Sequence, residues 1–269
     1  MKFPELAGRL LIAIPGILLF LFVLFFLPCR WGLLLLSALS LLAAWEILPL
    51  FGTSDCPVQK VIVSLLTGIS TLLIAVDHPL AFPALLAAGA FIALPEMVRS
   101  GPSGARRIIS GTVGTLSFYA IGFGMLGRLL VHSPGGQWLA LSVLAVCWVG
   151  DSAAYFTGIA LGRRKLMPGV SPKKSWEGFF GGIIGGVAGS VLAGYAGSFD
   201  LLPFAFAGVA GGLAGTAGDL FESALKRDAG VKDSSTLLLG HGGILDRFDS
   251  AVAAAPAAFA VFFLFGFFS

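Results

Sequence analysis

The sequence predicts an all-α fold: a polytopic integral membrane protein of about nine transmembrane helices with a cytoplasmic N-terminus. Of the 269 residues, 57% are hydrophobic and only 12% are charged, with a mean hydropathy of +0.95, whereas a soluble domain carries about 25% charged residues. Apolar stretches of about 20 residues recur along the chain, each long enough to cross ~30 Å of hydrocarbon as a helix. These stretches are continuously apolar instead of alternating, which favours helices over a barrel.

Nine segments are predicted to span the membrane. The first is interpreted as a retained helix and not as a cleaved signal peptide, because its apolar core is long and no Ala-x-Ala-like site precedes Cys29. Glycines cluster in the seventh and eighth, where small residues let helix backbones approach closely in lipid; the alternative is a backbone opened to admit a ligand. In chain order the segments are 10–28, 31–50, 59–76, 79–98, 109–131, 137–160, 178–197, 202–222 and 250–268.

The distribution of basic residues supports this count and sets the orientation. If the N-terminus is cytoplasmic, the inward segments are the N-terminus and the loops after the second, fourth, sixth and eighth spans. They contain 15 of the 17 lysines and arginines, and only Arg30 and Arg128 lie elsewhere, as the positive-inside rule requires. The inward basic residues are Lys2, Arg9, Lys60, Arg99, Arg106, Arg107, Arg163, Arg164, Lys165, Lys173, Lys174, Lys226, Arg227, Lys232 and Arg247. The C-terminus is therefore predicted to lie outside.

The chain is predicted to form a single membrane domain, 1–269. No internal repeat is visible, and no loop is long enough for a separate soluble domain. Because 1–98 has few charges while 99–269 is richer in glycine and basic loops, we interpret the first part as scaffold helices and the second as the working helices and loops. The three cysteines (Cys29, Cys56 and Cys147) show no metal or redox spacing.

Acidic residues inside apolar segments are the first candidates for chemistry. Asp151 lies in the sixth span and Asp219 in the eighth, and neither can face lipid cheaply. An ordinary structural ion pair would explain either one. However, Asp219 shares its spacing of i, i+3, i+4 and i+7 with Glu222, Ser223 and Lys226, which places all four on one helical face. That face fits a metal-bound phosphate.

The segment Gly240-His-Gly-Gly-Ile-Leu-Asp-Arg-Phe-Asp249 is the second candidate. Its glycines expose backbone N–H groups that can approach an anion closely. Asp246 and Asp249 follow at i and i+3, and Mg²⁺ prefers one or two carboxylates plus substrate phosphate oxygens. The alternative is that both acids only complement the positive end of the helix dipole.

The loop that contains Arg163-Arg-Lys165 and Ser171-Pro-Lys-Lys-Ser175 is the third candidate. Its cations are explained by topology and attraction to anionic headgroups. They also suit phosphate binding, because hydroxyls lie beside the lysines where the seventh span begins.

Together these segments resemble the phosphatidate cytidylyltransferase family, also called CDP-diacylglycerol synthases. The resemblance rests on Ser223-x-x-Lys-Arg-x4-Lys-Asp-x7-His-Gly-Gly-x-x-Asp-Arg-x-Asp249, on Gly150-Asp-x-x-Ala-Tyr155 and on Ser171-Pro-Lys-Lys-Ser-Trp-Glu-Gly178. It covers roughly 150–260, whereas the first hundred residues resemble the family only in hydropathy and in isolated positions such as Trp45-Glu46.

The resemblance implies an Mg²⁺-dependent transfer of CMP from CTP to phosphatidate, by a homodimer of the inner membrane whose active site faces the cytoplasm. It implies Asp219 and Asp246 as metal ligands, Asp249 as a third acid, and Asp151 as a ligand of a second cation or a group that supports the first. Lys226 is expected to act in catalysis, and the groups expected to bind substrate are Ser171, Lys173, Lys174, Ser175, Ser223, Arg227, His241, Gly242, Gly243 and Arg247. Membrane lipid is an expected partner, and nucleic acid is not.

A membrane transporter of a phosphate-bearing or other organic anion is the alternative from another class. Buried acids and glycine-interrupted helices occur there too. The predicted charges, however, concentrate on one face of the membrane instead of its midplane. The metalloprotease motif His-Glu-x-x-His and the Walker-type phosphate loop are absent from the sequence.

Overall fold

The computed structural model describes residues 3–51, 57–131, 134–235 and 243–268. Within these ranges the protein is overwhelmingly helical, which confirms an all-α, polytopic membrane protein. The helices are α1 (Phe3–Phe26), α2 (Cys29–Ile47), α3 (Pro57–Ala75), α4 (Ala81–Val131), α5 (Gly136–Leu161), α6 (Trp176–Ala196), α7 (Leu201–Asp228) and α8 (Leu245–Leu264), and a 3-10 turn, Leu48–Phe51, follows α2.

The basic loop between α5 and α6 forms a short hairpin. Strand β1 (Lys165–Met167) pairs antiparallel with β2 (Ser171–Ser175), and Lys165 lies opposite Ser175. Ser175 then caps α6, because its hydroxyl accepts a hydrogen bond from the backbone N–H of Gly178 at 3.1 Å. The hairpin thus holds the lysines of β2 directly beside the start of α6.

Seven helical segments among the described residues are long and apolar enough to cross a membrane, and Pro15–Phe26 adds a shorter apolar helix. The count of nine is therefore not confirmed. The predicted fourth and fifth spans lie in one continuous helix, α4, so the turn expected between them is helical. Pro102 lies inside α4; membrane helices tolerate proline where neighbouring groups satisfy the backbone groups that it frees.

Glycines bring α5 and α6 into backbone contact. A Cβ atom at Gly185 would lie 2.4 Å from the Ala153 Cβ, and one at Gly189 would lie 2.7 Å from the Ala145 carbonyl oxygen. Neither distance leaves room for a side chain. The small residues of α6 therefore serve close helix packing, as one of the two sequence interpretations expected.

Glycines also allow α7 to pack closely against α8. A Cβ atom at Gly218 would lie 2.7 Å from the Asp249 carbonyl oxygen, and one at Gly215 would lie 3.2 Å from the Ser250 carbonyl oxygen. This contact brings the acidic end of α7 against the beginning of α8. The main core lies beside it, where α2, α4, α5, α7 and α8 contribute fully buried residues such as Ile47, Tyr119, Leu144, Phe204 and Leu245.

Candidate active site

The last turns of α7 form the centre of the candidate site. Asp219, Glu222, Ser223 and Lys226 lie on one face, as their spacing predicted, and they interact along it. The Ser223 hydroxyl donates to Asp219 Oδ1 at 3.3 Å, and Lys226 Nζ donates to Glu222 Oε1 at 2.8 Å. Two polar clusters therefore stand one turn apart on the same helix.

Lys226 links α7 to α8. Its ammonium group donates to Asp246 Oδ1 at 2.5 Å in addition to Glu222, and only 10% of its side chain is exposed. A buried ammonium group needs such paired carboxylates, because its desolvation is otherwise uncompensated. Lys226 thereby fixes the distance between the acidic face of α7 and the first turn of α8.

Asp246 also organises the chain that precedes α8. Its Oδ2 atom accepts hydrogen bonds from the Ser234 hydroxyl at 2.8 Å, the Ser234 backbone N–H at 3.1 Å and the Gly243 backbone N–H at 2.8 Å. The Gly243 N–H, expected to bind phosphate, thus points at a carboxylate in this structure. Asp246 is therefore both a charged group of the site and the group that joins Ser234 to Gly243.

The hairpin supplies the second cation of the site. Lys174 Nζ donates to Asp219 Oδ2, and about a quarter of each side chain is exposed. The lysine comes from β2 and the aspartate from α7, so this ion pair joins two segments that are separated by 45 residues. Its partial exposure leaves both groups accessible to a ligand.

Asp249 and Asp151 complete the group of acids. Asp249 lies one turn beyond Asp246 on α8 and packs against Gly218, which precedes Asp219, and Asp151 lines the same cavity as Asp219 and Lys174. Asp249 is half-buried, while Asp151 is exposed to the cavity described below. Four predicted acids from α5, α7 and α8 therefore lie within electrostatic range of one another or of the same lysines.

The donor set fits a divalent cation. The carboxylates outnumber the two lysines, and Glu222 Oε2 is buried and accepts no hydrogen bond from the described residues. Asp219 and Asp246 each already hold a cationic group, an ammonium. Across the described ranges, no three or more His, Cys, Asp or Glu side chains form a complete metal site. Such a set is not needed for Mg²⁺, which takes one or two carboxylates and fills its octahedron with water and phosphate oxygens.

A cavity of about 490 Å³ opens beside the Lys174–Asp219 pair and Asp151. Its charged lining residues are Asp151, Lys165, Lys173, Lys174 and Asp219. Much of the remaining lining consists of glycines and apolar residues of α5, α6 and α7, among them Gly150, Gly182, Gly212, Val146 and Phe179. This volume is in the range of small-molecule sites. A largely apolar cavity whose lining includes such charges suits an amphipathic ligand that carries a phosphate group.

Other predicted residues lie at the edge of this arrangement. Lys173 is exposed and lines the cavity, whereas Ser171 pairs with Met167 in the hairpin. Arg227 is exposed and donates to the Val231 carbonyl oxygen at 3.0 Å, and Arg247 is exposed on the first turn of α8. The Ser175 hydroxyl serves the α6 cap. His241 and Gly242 lie outside the described residues.

Two acids near the site were given no role from the sequence, although both stand in segments that carry the family resemblance. Glu46, at the end of α2, accepts hydrogen bonds at the start of α8. Glu177, in the first turn of α6, accepts hydrogen bonds from the backbone N–H groups of Arg163 and Arg164. A lone carboxylate in an apolar span is itself a sign of function, and for Glu46 that sign was present.

Comparison with known proteins identifies relatives of the chain. The sequence model of the cytidylyltransferase family matches residues 7–265. A phosphatidate cytidylyltransferase of Haemophilus influenzae is 45% identical over 141 residues, which are 50% of this chain and 49% of that protein. One of Thermotoga maritima is 46% identical over 144 residues, or 50% and 52% of the two chains. The uncharacterized protein YnbB of Escherichia coli is 38% identical over 179 residues, 65% of this chain and 60% of that protein. The matched stretches thus span about half of these relatives' own lengths, or somewhat more.

Proposed function

The chain belongs to the cytidylyltransferase family, and on that premise we propose that it transfers CMP from CTP to phosphatidate, yielding CDP-diacylglycerol and pyrophosphate for phospholipid synthesis. The observation that supports this most is the Lys174–Asp219 ion pair on the wall of a largely apolar cavity of about 490 Å³, with the Lys226–Asp246 ion pair two turns further along α7. Charged groups beside apolar walls match a substrate that combines phosphate with acyl chains.

The reaction is one displacement at phosphorus. An oxygen of the phosphatidate phosphate attacks the α-phosphorus of CTP. A new P–O–P bond forms, the bond between the α-phosphorus and the bridging oxygen breaks, and pyrophosphate leaves with that electron pair. Such transfers need alignment and charge neutralisation more than covalent help from the protein. The clusters are suited to both tasks because their groups are held by two helices and a hairpin.

Mg²⁺ is the proposed cofactor, with Asp219 and Asp246 as its ligands and Asp249 as the third acid. A bound Mg²⁺ would neutralise phosphate charge and orient the α-phosphorus for in-line attack. Asp151, on the cavity wall, is proposed to bind a second cation or to support the first. The two ammonium groups that now neutralise Asp219 and Asp246 are free to turn to phosphate oxygens once those carboxylates have another cation.

The remaining polar groups are proposed to bind phosphate. Lys173 and Lys174 reach the cavity from the hairpin, and Ser223 lies between the two clusters. Arg227 and Arg247 are exposed near the same end of α7 and α8, where they would meet the triphosphate as it arrives. Ser171, Ser175, His241, Gly242 and Gly243 keep their predicted substrate-binding roles as proposals.

The location and assembly follow as further proposals. From the bias of basic residues we propose a cytoplasmic N-terminus and active site and nine spans, and from the bacterial relatives we propose the inner membrane. A homodimer is proposed from the family resemblance. CTP is water-soluble and phosphatidate is a membrane lipid, so a site at the cytoplasmic membrane edge admits both.

The test is the incorporation of radiolabelled CTP into lipid by the purified full-length protein. We expect transfer with phosphatidate and Mg²⁺, loss of transfer when Mg²⁺ is chelated, and a loss of at least about 10²-fold in Asp219→Asn and Asp246→Asn, since both remove transition-state charge stabilisation. Asp228→Asn, at the exposed end of α7, the helix that contains Asp219, is the matched control and should be fully active. Transport of organic anions into liposomes without any CDP-diacylglycerol would instead support the transporter.

A further inference from the structure

Glu46 lies at the end of α2, in the half of the chain interpreted as scaffold. Glu46 is only 4% exposed, yet it forms no ion pair within the described part of the chain. A buried carboxylate without a cation requires several hydrogen-bond donors. Its position is also unfavourable for α2 itself, because a negative charge near a helix C-terminus opposes the helix dipole.

The donors come from α8 and the segment before it. Oε1 accepts from the Ser235 hydroxyl at 2.7 Å and from the Ile244 backbone N–H at 3.1 Å. Oε2 accepts from the Leu245 backbone N–H at 2.8 Å, with the Ser234 hydroxyl at 3.5 Å. Glu46 therefore compensates its buried charge through segments that are far away in the sequence, 188 to 199 positions along the chain.

This arrangement replaces a missing helix cap. The residue at the N-cap of α8 is Ile244, which has no side-chain acceptor and makes no capping hydrogen bond. The first N–H groups of a helix need an acceptor when they are buried. Glu46 supplies it from another helix, and its negative charge complements the positive end of the α8 dipole.

The start of α8 determines where its acids stand. Asp246 and Asp249 lie in the first two turns, so a shift or fraying of the first turn would move them both. Ser234 connects the two acids Asp246 and Glu46 directly, because its hydroxyl donates to Asp246 Oδ2 and lies beside Glu46 Oε2. Gly243 is enclosed by Glu46 and Ser234: a Cβ atom there would lie 2.2 Å from Glu46 Oε2 and 2.4 Å from Ser234 Oγ.

We infer that Glu46 is a positioning residue of the site: it caps α8 from α2 and thereby holds Asp246 and Asp249 in register with Lys226. The inference rests on the proposed function, in which those acids bind the cation that aligns the phosphates. Glu46 itself touches no substrate. Its loss should therefore lower turnover while substrates still bind through the hairpin and the arginines.

The experiment compares Glu46→Gln and Glu46→Asp with Ser40→Ala in the purified full-length protein. Ser40 is the matched control, since it is a buried polar residue of α2 that bonds Thr71 and not α8. Two readouts are measured: kcat and KM for CTP and phosphatidate, and amide hydrogen exchange of the peptide 243–250 without substrate.

For Glu46→Gln we expect kcat to fall about tenfold or more, with KM changed less than about threefold, since misplaced catalytic groups cost up to about 10²-fold. Exchange at 243–250 should accelerate about tenfold or more, since the capped amides lose protection. Glu46→Asp keeps the charge and should recover part of both losses. Ser40→Ala should change neither readout.

Unchanged exchange in Glu46→Gln would overturn the inference, whether or not kcat falls, and so would a Glu46→Asp protein no better than Glu46→Gln. If Glu46→Gln does not fold, Gly243→Ala replaces it, because its methyl group must displace the Glu46 carboxylate. A Gly243→Ala protein with wild-type kcat and exchange would likewise overturn the inference. A wild-type protein without transferase activity would refute the proposed function alone, since the exchange measurement needs no reaction.

Discussion

Lys226 connects α7 to α8 through its ion pairs. It neutralises Glu222 and Asp246 together, at 2.8 and 2.5 Å, in an environment where its side chain is 10% exposed. Its spacing from Asp219 and Glu222 predicted a shared helical face, and the structure confirms that face. The carboxylate of Asp246, by contrast, comes from another helix, so no pattern within α7 could have indicated it.

Lys226→Ala should cost both stability and activity. The substitution leaves two buried carboxylates without their cation, and breaking a buried pair in this way costs about 3 kcal/mol. Unfolding in a denaturing detergent, followed by circular dichroism, measures the first effect, and the CTP assay measures the second. Arg30→Ala, at the exposed start of α2, is the control and should alter neither. A fully active Lys226→Ala protein would show that the lysine only serves topology.

Glu46 illustrates why the role of some residues near the site cannot be recognised from one sequence. Its donors, Ile244 and Leu245, are 198 and 199 positions away. Periodicity reveals which residues share a face, but it does not reveal which helix packs against that face. Lys174 was predicted together with its basic loop, whereas its ion pair with Asp219 became evident only when the hairpin was placed beside α7.

Among the elements, the β1–β2 hairpin has the most direct influence on the site. It is held at its base by Glu177, whose Oε2 accepts from the backbone N–H of Arg163 at 3.1 Å, and by the Trp176 N–H, which donates to the Arg164 carbonyl oxygen at 2.9 Å. The sequence suggested a loop here, because a short hairpin with proline and adjacent lysines shows no alternation of apolar residues. Its cations were nevertheless predicted correctly as a group.

Glu177→Ala should raise KM for CTP more than it lowers kcat. The substitution frees the base of the hairpin, so Lys173 and Lys174 are less well placed to meet phosphate, while the α7–α8 clusters remain. We expect KM to rise about three- to tenfold, since preorganised contacts chiefly reduce the ordering cost of binding. Asp200→Ala removes the capping acid of α7 at its other end and should leave KM unchanged. Equal KM values in both variants would refute the role of the hairpin.

Helix α4 shows the opposite outcome, a boundary that the sequence indicated and the structure does not show. Hydropathy separates 79–98 from 109–131 because the residues between them include Arg99, Gly101, Pro102 and Arg106. The structure continues as one helix from Ala81 to Val131. Hydropathy reports where side chains prefer lipid, whereas a helix needs only backbone hydrogen bonds, so the two boundaries need not coincide.

At the scale of the whole molecule, the antiparallel order of α5 to α8 gathers the site at one end of the bundle. The end of α5, the hairpin, the end of α7 and the start of α8 all lie on the same side of their membrane-spanning segments. The fold class and this gathering of charges followed from hydropathy and the positive-inside rule. The exact helix count did not, because it depends on how α4 is accommodated.

Orientation can be measured by labelling single cysteines in intact cells, with the native cysteines replaced. Gly169→Cys, in the hairpin, should be labelled only after the membrane is permeabilised, and Pro134→Cys, at an exposed position between α4 and α5, should be labelled from outside. Both expectations follow from the bias of basic residues. Ser103→Cys tests the nine-span count. That count places residue 103 on the cytoplasmic side, so this cysteine should also be labelled only after permeabilisation. Labelling of Gly169→Cys in intact cells would reverse the proposed topology.

The central claim is that acids from separate helices bind one divalent cation together with the CTP phosphates. Anomalous X-ray scattering from crystals grown with Mn²⁺ and CTP tests it most directly, because Mn²⁺ occupies the oxygen-rich sites that suit Mg²⁺. We predict an anomalous peak for a manganese ion that is bonded to Asp219, to Asp246 or Asp249 of α8, and to a CTP phosphate oxygen. Manganese bound with CTP at a place remote from Asp219 and both α8 acids would contradict the account.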